Sequence, residues 1–499
     1  MKKKLLGLLV AIFTFGLVFN VDAASLTTGS TKGTTDTNSY IVTSDAAIKI
    51  TNAPTSDTLV AYKILDTFYN SSTNVVTYEF TSTFKAFLNS SSTYKNLTVD
   101  EYYKLTNGDI TSGSTRTTST LDKLASAYAS YIKTNSVTGT TLTYDSSEGA
   151  TGWSVAAGAY LVLPKVTTSV YAVMVGNVVP KANGNDWTLD DTTIVAKVSS
   201  ASVAKSVGSI GHVDGNYNIG TEFSYYLVAG VPQYPTNATN KAYMIKDTAA
   251  NGITLSSVSS MSIKDGDTTL TNSNGTFKDV SGNTVATATI SGQSITIVFN
   301  VDYVTSTTVT VQYKAKLNSN ATLGDDGNLN SAVLTYSNEP YGTGNTTSST
   351  VNTSVFTYGV EVLIYANGDK SKVLSGVTFD VYSDSSLTTK IGTLTTDSTG
   401  KGRLPGVASG TYYLKQTSTA SGYSLPKDAV SMKVKIDGST ESTTEGYYVT
   451  EVAAFEAGIL PFTGGTGSIL YTVIGMITVV SAVLLLVLYT RKKKQEQTA

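Results

Sequence analysis

Val377-Thr-Phe-Asp-Val-Tyr382 sets an apolar side chain at every second position, and Val360-Glu-Val-Leu-Ile364, Thr411-Tyr-Tyr-Leu-Lys415 and Ser431 to Ile436 alternate in the same way. A period of two is the signature of a half-buried strand, because successive side chains leave opposite faces. Thr396-Asp-Ser-Thr-Gly400 and Ala408-Ser-Gly410 supply turn residues between these runs. Residues 355–458 therefore read as a compact sandwich or barrel-like unit of seven strands packed on their apolar faces.

The same pattern extends towards the N-terminus. Phe223 to Val228, Ile295 to Phe299, Thr308 to Leu317 and Ala332 to Tyr336 are strand candidates, with Asn251-Gly252, Asp265-Gly266 and Gly282-Asn283 as turn pairs. These define a second sandwich over residues 199–354, with Tyr341 to Ser354 as a polar inter-domain connection. Residues 25–198 form a first domain. It has an unstructured leader over 25–39, and strands at Tyr40-Ile-Val42, Ala47-Ile-Lys-Ile50, Gly158-Ala-Tyr-Leu-Val-Leu163, Val170 to Val175 and Thr193 to Val198. Two segments break the alternation. Thr83 to Leu88, and Asp122 to Ile132 with Leu121, Leu124, Ala125, Tyr128 and Ile132, carry apolar residues at helical spacing. The fold expectation is all-β: tandem immunoglobulin-like sandwiches, the first with short helical insertions.

Composition narrows the chemistry. The chain has no cysteine, one histidine (His212), 31 tyrosines, 14% charged residues and a net charge of −2. Disulfides, thiolate nucleophiles and thiolate metal sites are excluded, and no Ser/His/Asp set can be assembled around His212. No basic stripe exists to neutralise phosphates, so nucleic acid is not an expected partner. Asp190-Asp191 and Asp325-Asp326 read as solvated turn residues. No cofactor is expected.

Met1-Lys-Lys-Lys4, a 15-residue apolar run from Leu5 to Phe19, and small residues at Ala23-Ala24 have the order of a secretory signal over residues 1–24. At the other end, Ile469 to Tyr489 is a 21-residue uncharged span followed by Arg491-Lys-Lys-Lys494, the length and flanking charge of a membrane helix with a cytoplasmic tail over 490–499. Just before that span stands Leu460-Pro461-Phe462-Thr463-Gly464. Pentapeptide, apolar span and basic tail in this order resemble the cell-wall sorting signal of Gram-positive surface proteins, here over residues 459–499. The resemblance implies that a sortase cysteine attacks the carbonyl of Thr463 and that an amine resolves the acyl-enzyme. Pro461 bends the substrate, and Gly464 leaves room at the bond that breaks. The chain is then the substrate; the catalyst lies in another protein.

Further segments resemble the sortase-assembled backbone pilins. Their first domain ends in a strand with a Pro-Lys pair whose lysine attacks the threonine of the next subunit, and Gly176-Asn-Val-Val-Pro180-Lys181 is similar to it, with Val179 in place of the usual aromatic residue. Lys181 is the implied acceptor, with Lys165 and Lys197 as alternatives. The family also forms Lys–Asn amide bonds inside its domains. Val203-Ala-Lys205-Ser-Val207, Lys246-Asp247-Thr248 and Gly327-Asn-Leu-Asn330 resemble the three elements of that cross-link in a Cna-A-like middle domain. This implies a Lys205–Asn330 bond with Asp247 as proton shuttle, Asn328 and Asn338 being alternatives.

Leu374-Ser-Gly-Val-Thr-Phe379 and Gly410-Thr-Tyr-Tyr-Leu-Lys-Gln416 resemble a Cna-B repeat. The reacting set is replaced: Leu363-Ile364-Tyr365 stands where the lysine belongs, Gln416 where the glutamate belongs, and Val452-Ala-Ala-Phe455 lacks the asparagine. The third domain is expected to have no internal bond. In the first domain Lys49 and Asn177 lie on candidate strands, but no motif places an acid with them.

The implied role is a structural subunit of a covalent surface pilus: secreted, joined from Thr463 to Lys181 of an identical subunit, and finally attached to peptidoglycan. Its implied partners are a class C sortase for polymerisation, a housekeeping sortase for wall attachment, and minor pilins. The competing expectation is a solitary wall-anchored adhesin, or a pilus tip or base protein, that would bind a host ligand. A surface enzyme is not expected.

Overall fold

The computed structural model describes residues 26–32, 38–107, 119–147, 149–184, 186–235, 237–440, 442–443 and 445–457, together with 479, 483 and 486. The secretory segment 1–24 and the sorting pentapeptide 460–464 with Thr463 lie outside the described residues, as do the apolar span 469–489 (those three positions apart) and the tail 490–499. Among the described residues no helix is long and apolar enough to cross a membrane. The chain divides into two compact units: one of residues 1–215, 220–320 and 328–355, the other of 216–219, 321–327 and 356–499.

In the first unit, the long strand Thr58–Asn70 is a hub that pairs antiparallel with Ser39–Val42, Val75–Phe80, Thr140–Asp145 and Gly158–Val166. Gly158–Val166 explains its own unbroken apolar run. Ala159, Leu161 and Leu163 face a core shared with helices, while Tyr160 and Val162 face the core between strands. A strand covered on both faces has no polar side to present.

Among the described residues three helices cover one face rather than the two expected from periodicity: α1 (Ser82–Ser90), α2 (Val99–Asn107) and α3 (Ser119–Thr134). Thr81 caps α1, its hydroxyl accepting from the Phe84 N–H at 3.1 Å. The unforeseen α2 opens with a capping box. The Thr98 N–H donates to Glu101 Oε2 (2.8 Å), and the Glu101 N–H donates back to Thr98 Oγ1 (3.2 Å). Phe84, Phe87, Tyr102, Leu124 and Tyr128 fill the space beneath the helices.

Two further expectations change. The presumed leader contains the strand Thr28–Thr31, paired with Ser39–Val42 in the register Thr28↔Val42. The presumed connection 341–354 holds the strands Asn345–Thr347 and Val351–Phe356, both paired with Asn328–Ser337. Tyr341 itself is buried in the helical core, and the Ser130 hydroxyl of α3 donates to its carbonyl (3.0 Å). Its polar neighbours mask a segment that is integrated by strand pairing.

Also in the first unit, two facing sheets enclose a sandwich core. One contains Ser202–Val207, Glu222–Gly230 and Thr308–Leu317; the other contains Tyr243–Ala249, Ser294–Phe299 and Asn328–Ser337.

Among the described residues the second unit has two four-stranded sheets, eight strands rather than seven, because Asp369–Val373 adds an exposed edge hairpin. Val360, Val362, Ile364, Phe379, Val381 and Leu414 form its core. Its first strand, Tyr358–Ala366, lies parallel to its last, Tyr447–Ala454, from Gly359↔Tyr447 to Ala366↔Ala454.

Candidate functional site

Alternation along four strands delivers polar side chains into the middle sandwich. Tyr243–Ala249 turns Tyr243, Ile245, Asp247 and Ala249 inward, and Asn328–Ser337 turns Asn328, Asn330, Ala332 and Leu334 inward. In the facing sheet Lys205 pairs with Leu227, and Tyr225 pairs with Tyr313. The structure brings Lys205, Asp247 and Asn330 into one cluster between the sheets; the side chains of Lys205 and Asp247 are both fully shielded from solvent. Asn330 is also fully buried.

Tyr313 is the hub. Its hydroxyl donates to Asp247 Oδ1 at 2.8 Å, and accepts from Lys205 Nζ and from Asn330 Nδ2, each at 2.8 Å. Lys205 Nζ also contacts Asp247 Oδ2 directly, and it sits 4.7 Å from the Tyr225 ring centroid and 5.3 Å from that of Tyr313. Asn330 Oδ1 accepts no hydrogen bond from the described residues.

Burial governs protonation here. Desolvation drives the Lys205 ammonium below the ordinary lysine value, opposed by the charge of Asp247 and its hydrogen bond. Desolvation raises the Asp247 carboxyl above the usual carboxylate range, opposed by Lys205 and then by hydrogen bonds from Tyr313 and Asn330. The Tyr313 phenol is also pushed well up, chiefly by burial, and stays protonated. Keeping two ions this deep costs several kcal/mol each, so the neutral pair, amine and carboxylic acid, is favoured. A neutral amine is a nucleophile, and a carboxylic acid can polarise an amide carbonyl.

The alternatives lie elsewhere. Asn328 shares the inward face but donates to the Val355 carbonyl at 3.0 Å, and Asn338 donates to the Thr167 carbonyl at 2.7 Å. The strand pattern alone could not separate Asn328 from Asn330, since both face inward. Tyr313 and Tyr225 were not singled out from sequence; the available signal was a tyrosine at an inward position of the alternating run Thr308–Leu317.

Lys181 opens the short strand Lys181–Asn183, is exposed, and pairs with Asp190 Oδ2 at 3.0 Å. Lys165 is exposed on Gly158–Val166, and Lys197 is half-buried, its ammonium lowered mainly by desolvation. Lys49 is ion-paired with Asp191 at 3.2 Å.

In the second unit Ile364 and Val452 are core residues aligned opposite each other on the parallel first and last strands. Gln416 is buried, its Nε2 donating to the Ser418 carbonyl at 3.3 Å. The only charged side chain buried there among the described residues is Glu361, which was not anticipated; it is held by Arg403 Nε (2.6 Å) and Lys401 (3.1 Å) near the sheet surface.

Comparison with known proteins bears on both ends of this description. Residues 363–455 match the SpaA prealbumin-like fold domain, and residues 458–496 match the LPXTG cell wall anchor motif. The chain is 28% identical over 277 residues to the trypsin-resistant surface T6 protein of Streptococcus pyogenes serotype M6, and that match spans half of each chain. Its fold is similar to the T6 backbone pilin of the same serotype, a modular three-domain structure (TM-score 0.64, 20% identity, 83% of this chain and 99% of that one). It is also similar in fold to the major pilin SpaD of Corynebacterium diphtheriae (TM-score 0.53, 13% identity, 84% and 98% covered). These similarities in sequence and fold are to structural pilins. The anchor motif over residues 458–496 marks the chain as cell-wall-anchored and surface-exposed, and its prealbumin-like domain, sequence and fold are similar to those of the T6 protein and of backbone pilins.

Proposed function

We propose that the chain is the repeating structural subunit of a covalently polymerised surface pilus, built from three successive domains over 25–198, 199–354 and 355–458. A sortase cleaves after Thr463 and transfers its acyl group to Lys181 of the next copy. A class C sortase would extend the polymer, and a housekeeping sortase would pass the last subunit to peptidoglycan, with minor pilins at the ends.

The observation that carries this reading is the buried Lys205–Asp247–Asn330 cluster, which suits an intramolecular cross-link. The neutral Lys205 amine attacks the side-chain carbonyl carbon of Asn330. The new C–N bond forms, the bond to the asparagine nitrogen breaks, and Asp247 moves a proton from the lysine nitrogen to the departing ammonia. The bond closes a loop of more than 100 residues, a constraint that chain-entropy reasoning puts at roughly 4.7 kcal/mol. It also lets tension bypass the middle sandwich.

Wall-extracted material from wild type and Lys181→Ala tests the polymer on denaturing gels. A high-mass ladder in wild type that collapses to monomer in the variant is expected. A ladder that survives moves the junction to Lys165 or Lys197. A single band in both overturns the shaft reading in favour of a solitary wall-anchored adhesin.

A further inference from the structure

The lysine proposed as acceptor does not sit on a loose surface loop. Lys181–Asn183 and Asp186–Thr188 form a small antiparallel hairpin in which Lys181 faces Thr188 and Asn183 faces Asp186. Gly184 sits in its turn with φ +64°, a conformation that suits a residue without Cβ. Two anchors tie the hairpin and its exit to the strands beneath. The Trp187 indole N–H donates to Asn74 Oδ1 at 2.9 Å, and the Tyr69 hydroxyl donates to the same oxygen at 3.1 Å. Beyond the hairpin, Asp191 accepts from the Ala47 N–H (2.8 Å) and pairs with Lys49 (3.2 Å). Asp190 lies between these anchors, so its backbone is held, and its carboxylate meets Lys181 Nζ at 3.0 Å in the open.

We infer that Asp190 is a positioning residue for acyl transfer, holding the Lys181 side chain over the hairpin where an acyl-enzyme can reach it. The inference rests on the reading of Lys181 as acceptor. A lysine on a free four-carbon stem must lose rotamer freedom when it enters an enzyme; an anchored carboxylate pre-empts part of that loss before the encounter. In the transfer itself the Lys181 nitrogen bonds to the Thr463 carbonyl carbon and the carbon–sulfur bond of the acyl-enzyme breaks. The Lys181 ammonium gives one proton to water as its ion pair opens, and the proton that leaves the nitrogen after attack goes to the departing sulfur. Asp190 takes no part in bond making; it acts on where the amine is found. Both side chains are more than half exposed, so the enzyme displaces the carboxylate without opening the fold.

The test is sortase transfer of a Leu-Pro-Phe-Thr-Gly peptide donor onto the purified mature chain, with the concentration of the chain varied. Asp190→Ala should raise the KM for the chain about two- to fivefold, the range an exposed ion pair supports, with kcat unchanged. Asp190→Glu should recover most of the loss, and Asp190→Asn should recover less. Unchanged KM in Asp190→Ala, or a fall in kcat alone, overturns the inference. Trp187 fluorescence reports whether the hairpin keeps its place. Lys181→Ala separates the two claims. If product persists in that variant, the acceptor assignment itself fails. If product is lost while Asp190→Ala behaves as wild type, only the positioning role fails.

Discussion

Truncating Lys205 leaves Asp247 buried beside Tyr313 without its amine partner, and the consequence is a pH dependence. Burial already raises the Asp247 carboxyl in the intact cluster, and the main influences opposing that rise come from Lys205. In Lys205→Ala the folded state should hold the Asp247 proton well above the pH at which the unfolded chain releases it. Above the unfolded value the folded state then binds more protons than the unfolded one, so stability falls as pH rises, by about 1.4 kcal/mol per unit until the folded value is passed. Denaturation of Lys205→Ala between pH 4 and 7 should show this decline, and Lys205→Ala/Asp247→Asn should not. A flat profile in the single variant would mean that Asp247 is ionised in the core. At this scale the signal for Lys205, Asp247 and Asn330 is the resemblance of three short motifs to family elements, while strand alternation leaves Asn328 and Asn330 on the same face. The sequence was silent on Tyr313, since hydrogen-bond hubs arise from two sheets meeting and no local pattern encodes that meeting. Glu361 was hidden for a related reason: a charge on the face opposite Val360 and Val362 becomes buried only because Arg403 and Lys401 from the neighbouring strand cover it.

Elements were legible where a period persisted and obscure where pairing, not composition, decided the structure. Strands such as Thr308–Leu317 alternate strictly. By contrast α2 was missed because its apolar residues are few, although Thr98-Val-Asp-Glu101 spells its cap. The segments 28–31 and 345–356 look like polar leader and connection, yet both find strand partners. The parallel pairing of Tyr358–Ala366 with Tyr447–Ala454 carries its own prediction. With Leu363-Ile364-Tyr365, Gln416 and Val452-Ala-Ala-Phe455 where the resemblance implies lysine, acid and asparagine, the second unit is expected to depend on its core. Phe379 is almost fully buried there. Phe379→Ala should cost that unit about 3–5 kcal/mol. Calorimetry should show one transition moving down while the transition of the first unit stays. Equal displacement of both would contradict an independently folded second unit.

For the whole molecule, the two proposed linkages define a route for tension. Load entering at Lys181 runs to Lys205, crosses to Asn330, and continues through residues 331–463; most of the first unit lies outside that route. In this reading the last domain is expected to have no cross-link of its own, and it bears load across its first and last strands. Those strands are parallel and adjacent, and pulling the start of one against the end of the other shears all their hydrogen bonds together. Such an arrangement would let a domain without a covalent lock keep its fold under tension. The account stands on the covalent bonds themselves, and the most direct measurement is tandem mass spectrometry of wall-released, protease-digested protein. The predicted result is a branched peptide joining the Thr463 carbonyl to Lys181 Nζ, with a second joining Lys205 to Asn330 at a mass lower by one ammonia. Finding Thr463 only on peptidoglycan, with Lys181, Lys205 and Asn330 all in unmodified linear peptides, would contradict it.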